Sequence, residues 1–544
     1  MQLPEKNIMK SGHISINKLV IHAELVALGL VLIVLLLSSL DRGNGGKDPE
    51  TTEQTDQVRI AESARQKAEA SRAALFADIH VPPRQREVWF GDLDEMLKRG
   101  QLRILIPFSR TFFFRADGQE LGVSTGILTY YEEFLNEQVL LGEKKMELVF
   151  LPTPQENLLE DLSAGKGDIA VAADTDLRPA REQEERVTLV SPVATEIREI
   201  LVTGPDAPRF KSIFNLSGRT VTIREGSPYA ASLHELNSTL TSIGRKPVTV
   251  RLADAFLTDA DLLEMTAAGL LPMTVVDSHI GAFWAQVFPE LTLHNKIVLR
   301  TAKEIHWATR ADNRLLQESI SYFKKNSYLP RDGYPALTGY YRKKDGFLRN
   351  SLKLSALERY HRLAGLFAQY GQEYNFPPLL LAALAYQESE LGEAGKAGEI
   401  TGLDPAALLR ERIQADLKQL QRPEENIQTA ARYLRLLADR YFSSPELGRF
   451  NQNLMAVAAY KFGPEQVIAA RKRAALAGYN PDIWFNHVET AVQAEEGGNT
   501  ADSADSADVA QYVRNIYKYY KAYEYFLERT KNESQPEETA GDSL

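Results

Sequence analysis

PPLLLAALAYQESEL, Pro377 to Leu391, is the stretch from which the C-terminal half of the chain can be read. It predicts a single helix. Proline suits the first turn, where a missing N–H costs nothing, Ala and Leu fill the interior, and Gly392 supplies a stop. Leu381, Leu384, Glu388 and Leu391 fall at the i, i+3, i+7, i+10 spacing of one apolar face. A carboxylate therefore lies on the stripe that packing should bury. Burial penalises its charged form, and the negative end of the helix dipole acts in the same direction. A general acid working near neutral pH needs that bias toward the protonated form. A glutamate at a helix end, turned to water or paired with an arginine, satisfies the same periodicity. Glu390, two residues on, points about 200° round the helix and is no second catalyst.

Three further segments follow in order: ENIQTAARYLRLL (Glu425–Leu437), MAVAAYKFGPEQV (Met455–Val467) and QYVRNIYKYY (Gln511–Tyr520). Together with ALAYQES they resemble the motifs of the lysozyme-like lytic transglycosylases, the soluble-lytic-transglycosylase group of glycoside hydrolase family 23. The resemblance implies an all-α lysozyme-like domain that acts on peptidoglycan glycan strands. It implies cleavage of the β-1,4 bond between N-acetylmuramic acid and N-acetylglucosamine, with a 1,6-anhydro sugar as product. Carried over by position, Glu388 is acid and then base, and Ser389, Tyr460, Lys461 and Tyr512 contact substrate. Two departures bear on activity. The G-L-M-Q-type segment after the E-S pair is replaced by GEAGKAGEITGLDPAALLRERI, where Gly398 or Gly402 could stand in. The Asn of A-Y-N is Lys461, and a lysine beside Glu388 works against the acid role. A wall-binding or ligand-sensing membrane protein that has lost turnover is the alternative.

Upstream the texture differs. LDEMLKRGQLRILIPF predicts helix, turn and buried strand, and the alternation of strands and helices continues to about Asn326, which indicates a parallel-sheet α/β domain. RGQLRILI, Leu162–Ile169, the G-S-x-Y turn at Gly226–Tyr229 and TVVDS at Thr274–Ser278 resemble the extracellular solute-binding proteins of the amino-acid-binding type. That family implies two lobes closing on a ligand, here an amino acid or muropeptide. An arginine clamping a carboxylate would be Arg178, Arg181 or Arg186, of which Arg186 fits best, and a solvated charged helix explains the same run. Gly226 and Ser227 offer backbone N–H groups at a helix start; Pro228 cannot donate. A solute-binding module ahead of the helical domain is the arrangement of one membrane-bound subgroup of the transglycosylases.

The 544 residues carry a net charge of −10 and no cysteine. A chain of this length forms several domains. The acidic balance argues against nucleic acid as a partner, and the lack of thiols excludes disulfides and a lipoprotein-type anchor. Without a phosphate loop, an H-E-x-x-H pair or clustered histidines, neither cofactor nor metal is inferred. Residues 19–40, LVIHAELVALGLVLIVLLLSSL, form the candidate transmembrane helix, preceded by Lys6, Lys10 and Lys18. The lysines favour a cytoplasmic N-terminus, and the apolar run exceeds that of a cleaved signal peptide. The expected protein is thus anchored in the bacterial inner membrane by a single pass, with its body in the periplasm. The predicted order is a cytoplasmic N-terminus (1–18), anchor (19–40), linker with a possible helix (41–91), two-lobed α/β domain (92–326) and connector (327–350). The all-α domain (351–528) follows, with a disordered insertion at 495–508, and then a disordered acidic tail (529–544).

Overall fold

The computed structural model describes residues 88–116, 119–139, 145–172, 177, 179, 181, 183–190, 194–326, 352–391, 400–416, 418–493 and 501–534. They belong to one compact unit, Pro83–Leu544. The candidate anchor, most of the linker, the connector, Arg178, Gly398 and the last ten residues lie outside the described residues. Among the described residues no helix is long and apolar enough to cross a membrane.

The α/β part holds two five-stranded sheets and a two-stranded one, β2 (Phe114–Ala116) paired with β3 (Gln119–Leu121). The first has the order β4-β1-β5-β12-β6, formed by β1 (Gln101–Ile106), β4 (Glu147–Pro152), β5 (Ile169–Val171), β6 (Val187–Leu189) and β12 (Trp307–Arg310). β1 runs parallel to β4 and β5, and β12 is antiparallel to β5 and β6. The second sheet has the order β11-β7-β10-β8-β9, formed by β7 (Ala194–Thr203), β8 (Thr220–Arg224), β9 (Thr249–Ala253), β10 (Met273–Asp277) and β11 (Thr292–Ile305). The chain leaves the first sheet after β6 and returns to it at β12, so two crossings join two lobes. This is the two-lobed α/β arrangement expected from the sequence.

Strand periodicity explains both cores. Side chains alternate across a strand, so Leu102, Ile104 and Ile106 enter one cluster of the first lobe while Leu105 enters the other. Ile200 and Val202 likewise face Phe283 and Trp284, whereas Leu201 faces Tyr229 and Leu233. The turn from helix Leu93–Arg99 into β1 uses Gly100 at φ 74°, a conformation that favours glycine. Buried Asp168 gathers Arg99 at 2.6 Å and Arg103 at 2.8 Å. Burial alone would raise its pKa, but hydrogen bonds and charge from these arginines hold it below the ordinary carboxylate value.

From Leu352 the chain is helical. The helix Pro378–Ser389 is central, with every residue from Leu380 to Tyr386 buried. The one-stripe reading of this segment is therefore too narrow: a helix apolar all round is packed all round. It also ends earlier than expected. Glu390 (φ 49°) and Leu391 (φ 62°) turn left-handed, before Gly392. Lys353 reaches the Glu390 carboxylate at 3.1 Å, and Arg359 donates to the Glu390 carbonyl at 2.8 Å. Cations at the negative end of the helix thus assist the left-handed cap.

Between Asp404 and Gln421 the chain forms the helix Pro405–Arg410 and a short turn at Gln419–Gln421, with Arg412 at φ 58° between them. Two other boundaries differ from expectation. The predicted insertion is helical in its second half, because the last helix begins at Ala501. That helix also runs to Ser534, past the expected start of the tail.

The helical part is docked on the second lobe. Lys518, 2% exposed, donates to both Glu264 oxygens at 2.8 Å. Arg110 of the first lobe approaches Glu264 at 3.3 Å and Asp261 at 2.9 Å, and the Leu352 N–H donates to Glu264 at 2.9 Å. Phe256 of the second lobe stacks on Phe485 with centroids 4.6 Å apart, and Phe485 lies 4.9 Å from Tyr517.

Candidate active site

Glu388 occupies the last turn of the Pro378–Ser389 helix, its side chain only 6% exposed. Two donors hold its carboxylate. The Tyr512 hydroxyl donates to Oε1 at 2.7 Å, and the Lys461 ammonium donates to Oε2 at 2.8 Å. Tyr512 comes from the long terminal helix, Lys461 from the last turn of the helix Arg449–Phe462. Burial, followed by the Glu388 charge, pushes the Tyr512 phenol well above its ordinary value, so it remains a donor at any working pH. Phe462 packs edge-on against Tyr512 with centroids 5.6 Å apart.

A short segment, Ile400–Gly402, forms the opposite wall and is tied down from three helices. The Ser389 hydroxyl donates to the Ile400 carbonyl at 2.8 Å, and the Tyr460 hydroxyl donates to the Thr401 carbonyl at 2.9 Å. The Thr401 N–H and hydroxyl both donate to Asn426 Oδ1, at 3.1 and 2.7 Å. These bonds set Gly402, at φ 61°, against Glu388: a Cβ added there would overlap the carboxylate. Gly402→Ala is accordingly expected to displace Glu388 and to strain the backbone by roughly 1 kcal/mol. Turnover should fall much further than the unfolding midpoint, measurable by comparing product release with thermal melting.

The structure thus brings Glu388, Ser389, Tyr460, Lys461 and Tyr512 together, in two kinds of position. Lys461 and Tyr512 touch the carboxylate. Ser389 and Tyr460 brace the Ile400–Gly402 wall, and burial pushes the Tyr460 phenol well up. Gly402, one of the two glycines the sequence offered, lies against the Glu388 carboxylate. Thr401 and Asn426 carried no signal by residue type, although Asn426 lies inside the Glu425–Leu437 motif. Glu390 is turned away onto Lys353 and Arg359.

The candidate ligand residues of the α/β part are placed apart. Arg186 is exposed in a turn before β6 of the first lobe. Gly226, at φ 74°, and Ser227 follow β8 in the second lobe, where Ser227 is buried at the start of the helix Tyr229–Ser242. Arg181 is also exposed.

Residues 365–482 match the Transglycosylase SLT domain. The SLT region contains Glu388, Gly402 and Lys461, whereas Tyr512 lies beyond it. Across the longer chain, the membrane-bound lytic murein transglycosylase F of Aeromonas hydrophila is 26% identical over 416 residues, covering 75% of this chain and 76% of its own. That of Serratia proteamaculans is 26% identical over 406 residues, with 73% and 77% covered. That of Pseudomonas fluorescens is 25% identical, with 72% and 78% covered. Among solved structures, an ancestral cationic amino acid solute-binding protein aligns with TM-score 0.35 and 19% identity, over 46% of this chain and 98% of its own. An ancestral arginine-binding protein bound to arginine aligns with TM-score 0.32 and 18% identity, over 44% and 97%.

Proposed function

We propose that the chain is a peptidoglycan lytic transglycosylase in which Glu388 serves as both acid and base. The observation that carries this reading is a buried carboxylate clasped by Tyr512 and Lys461 inside an SLT region. Protonated Glu388 gives its proton to the glycosidic oxygen as the muramic C1–O bond breaks, and the N-acetylglucosamine leaves with a free 4-hydroxyl. The resulting carboxylate then takes the proton of the muramic C6 hydroxyl while that oxygen bonds to C1. The ring closes as the 1,6-anhydro sugar, the glutamate regains its proton, and water is neither consumed nor released. One carboxylate suffices where the substrate's own acetamido group shields the oxocarbenium-like centre, in contrast to the paired-carboxylate scheme. Tyr512 holds the carboxylate in place throughout.

The two-lobed part acts as a regulatory or positioning module whose ligand is an amino acid or a muropeptide. Residues 19–40 anchor the chain in the inner membrane with the body in the periplasm; the relatives' description as membrane-bound supports this. We take 92–326 and 351–528 as the working modules, the second extended to the end of its last helix. A wall-binding protein without turnover is not favoured, since the relatives named above carry an enzyme's name.

Digestion of purified sacculi in water enriched in heavy oxygen tests the reaction. Muropeptides ending in a 1,6-anhydro ring, without heavy oxygen at C1, are expected. Reducing ends carrying the label would make the protein a hydrolase, and no soluble product would leave it a binding protein.

A further inference from the structure

We propose that Lys461 is a specificity-determining residue that holds the Glu388 carboxylate as observed and releases it to a carboxylate on the glycan strand. This rests on the transglycosylase reading above and names the substrate class for that site. Both oxygens of the Glu388 carboxylate are taken by donors, since an ammonium can only donate and the Tyr512 hydroxyl donates to the other oxygen. The chemistry needs an oxygen that can pass a proton to the glycosidic oxygen, and the exposed ammonium 2.8 Å from Oε2 occupies one of the two, so Lys461 has to let go before that transfer.

Lys461 is built to move. Its side chain is 44% exposed while that of its partner is 6% exposed. It stands at the end of a helix followed by Gly463 at φ 86°. Among the described residues Glu388 is the carboxylate paired with it, and the Tyr512 ring lies 5.9 Å from its ammonium. A charge this exposed leaves its partner readily when another of the same sign is offered. Sugar hydroxyls and acetamides are poor replacements for a carboxylate, because they offer the ammonium a dipole and not a full opposite charge. Muramic acid carries such a group on its lactyl ether, two carbons from the reacting C1. That group is free on a residue without a peptide, whereas an attached peptide offers its own carboxylates. The shared requirement is a carboxylate beside the muramic residue on which Glu388 acts.

The test uses the full chain and three glycan preparations: strands bearing peptides, strands stripped by an amidase to free lactyl carboxylates, and stripped strands whose carboxylates have been converted to neutral amides. Wild type is expected to favour carboxylate-bearing strands over neutral ones by about 10-fold in kcat/KM, the scale of one charge-assisted contact. Preference for stripped over peptide-bearing strands assigns the lactyl carboxylate, and the reverse order assigns the peptide. Lys461→Asn should erase the preference and raise turnover of neutral strands several-fold, since Glu388 is no longer held by an ammonium. Lys461→Arg keeps the charge and should keep the preference. Equal rates of wild type on charged and neutral strands, or a preference unchanged in Lys461→Asn, overturns the proposal while leaving the transglycosylase reading intact. Inactivity of wild type on all three strands sinks the transglycosylase reading instead.

Discussion

Glu388→Gln is expected to lose at least about 10²–10⁴-fold in the release of anhydro-muropeptides, the contribution of a positioned acid–base group, with little change in folding. The amide keeps the volume and can still accept from the Tyr512 hydroxyl that reaches Oε1 at 2.7 Å, so the pocket should keep its shape. What it cannot do is hand over and recover a proton. Lys461, 2.8 Å from Oε2 in the parent protein, would then face a neutral group; being half exposed, it can turn to water at small cost. The measurement is product release from sacculi set beside the thermal midpoint of the same preparation. A purely structural glutamate would show the opposite pattern, a lowered midpoint with turnover retained in the folded fraction. Glu390 provides the contrast: held by Lys353 and Arg359 at the helix end, its replacement by Gln should be felt in stability and only weakly in rate.

Glu264→Ala should be among the most destabilising single substitutions in the described chain, at about 3–5 kcal/mol. Its carboxylate receives Lys518 at both oxygens, Arg110 and the Leu352 N–H. Removing it leaves two cations, each 2–3% exposed, near one another, with Asp261 still paired to Arg110. Burial already pushes the Lys518 ammonium below its ordinary value, and the Glu264 charge is what opposes that shift. Without Glu264 the lysine must shed its proton or draw water into the joint. Hydrogen exchange should accelerate both in the helix Asp259–Ala267 and in the middle of the Ala501–Ser534 helix. Pairing Glu264→Leu with Lys518→Met should recover much of the loss, because apolar groups of similar volume replace a buried ion pair at little cost. A single substitution that leaves exchange and melting unchanged would show that the cluster contributes nothing to docking.

The sequence carried the architecture through its periodicities. The apolar run in RGQLRILIPF marked a buried strand, and ALAYQES marked a helix ending in an acid. What it did not carry were effects supplied from far along the chain. The stop of the central helix looked like a glycine's work at 392, but it is made at Glu390 with help from Lys353 and Arg359. Nothing local in ADSADSAD indicates a helix; the segment continues one whose packing begins near Val509. The Lys461–Glu388 pair joins residues 73 positions apart, so the substitution of Asn by Lys was visible but its target was not. Gly402 was one of two candidates by sequence, and its place against the carboxylate depends on the wall formed by Ile400, Thr401 and Asn426. Gly226, Ser227 and Arg186 were selected by motif alone, and the fold places them in different lobes.

One long rod, Ala501–Ser534, supplies the hydroxyl that holds Glu388 and, about 25 Å further on, Arg529, which bonds the Gly269 carbonyl of the second lobe. Excising the helical half for expression would therefore strip Phe485, Tyr517 and Lys518 of their cover at once. Such a fragment would present naked aromatic rings and an orphaned cation on the very element that frames its own proton donor. Any kinetic work on a truncated version would be describing a different molecule.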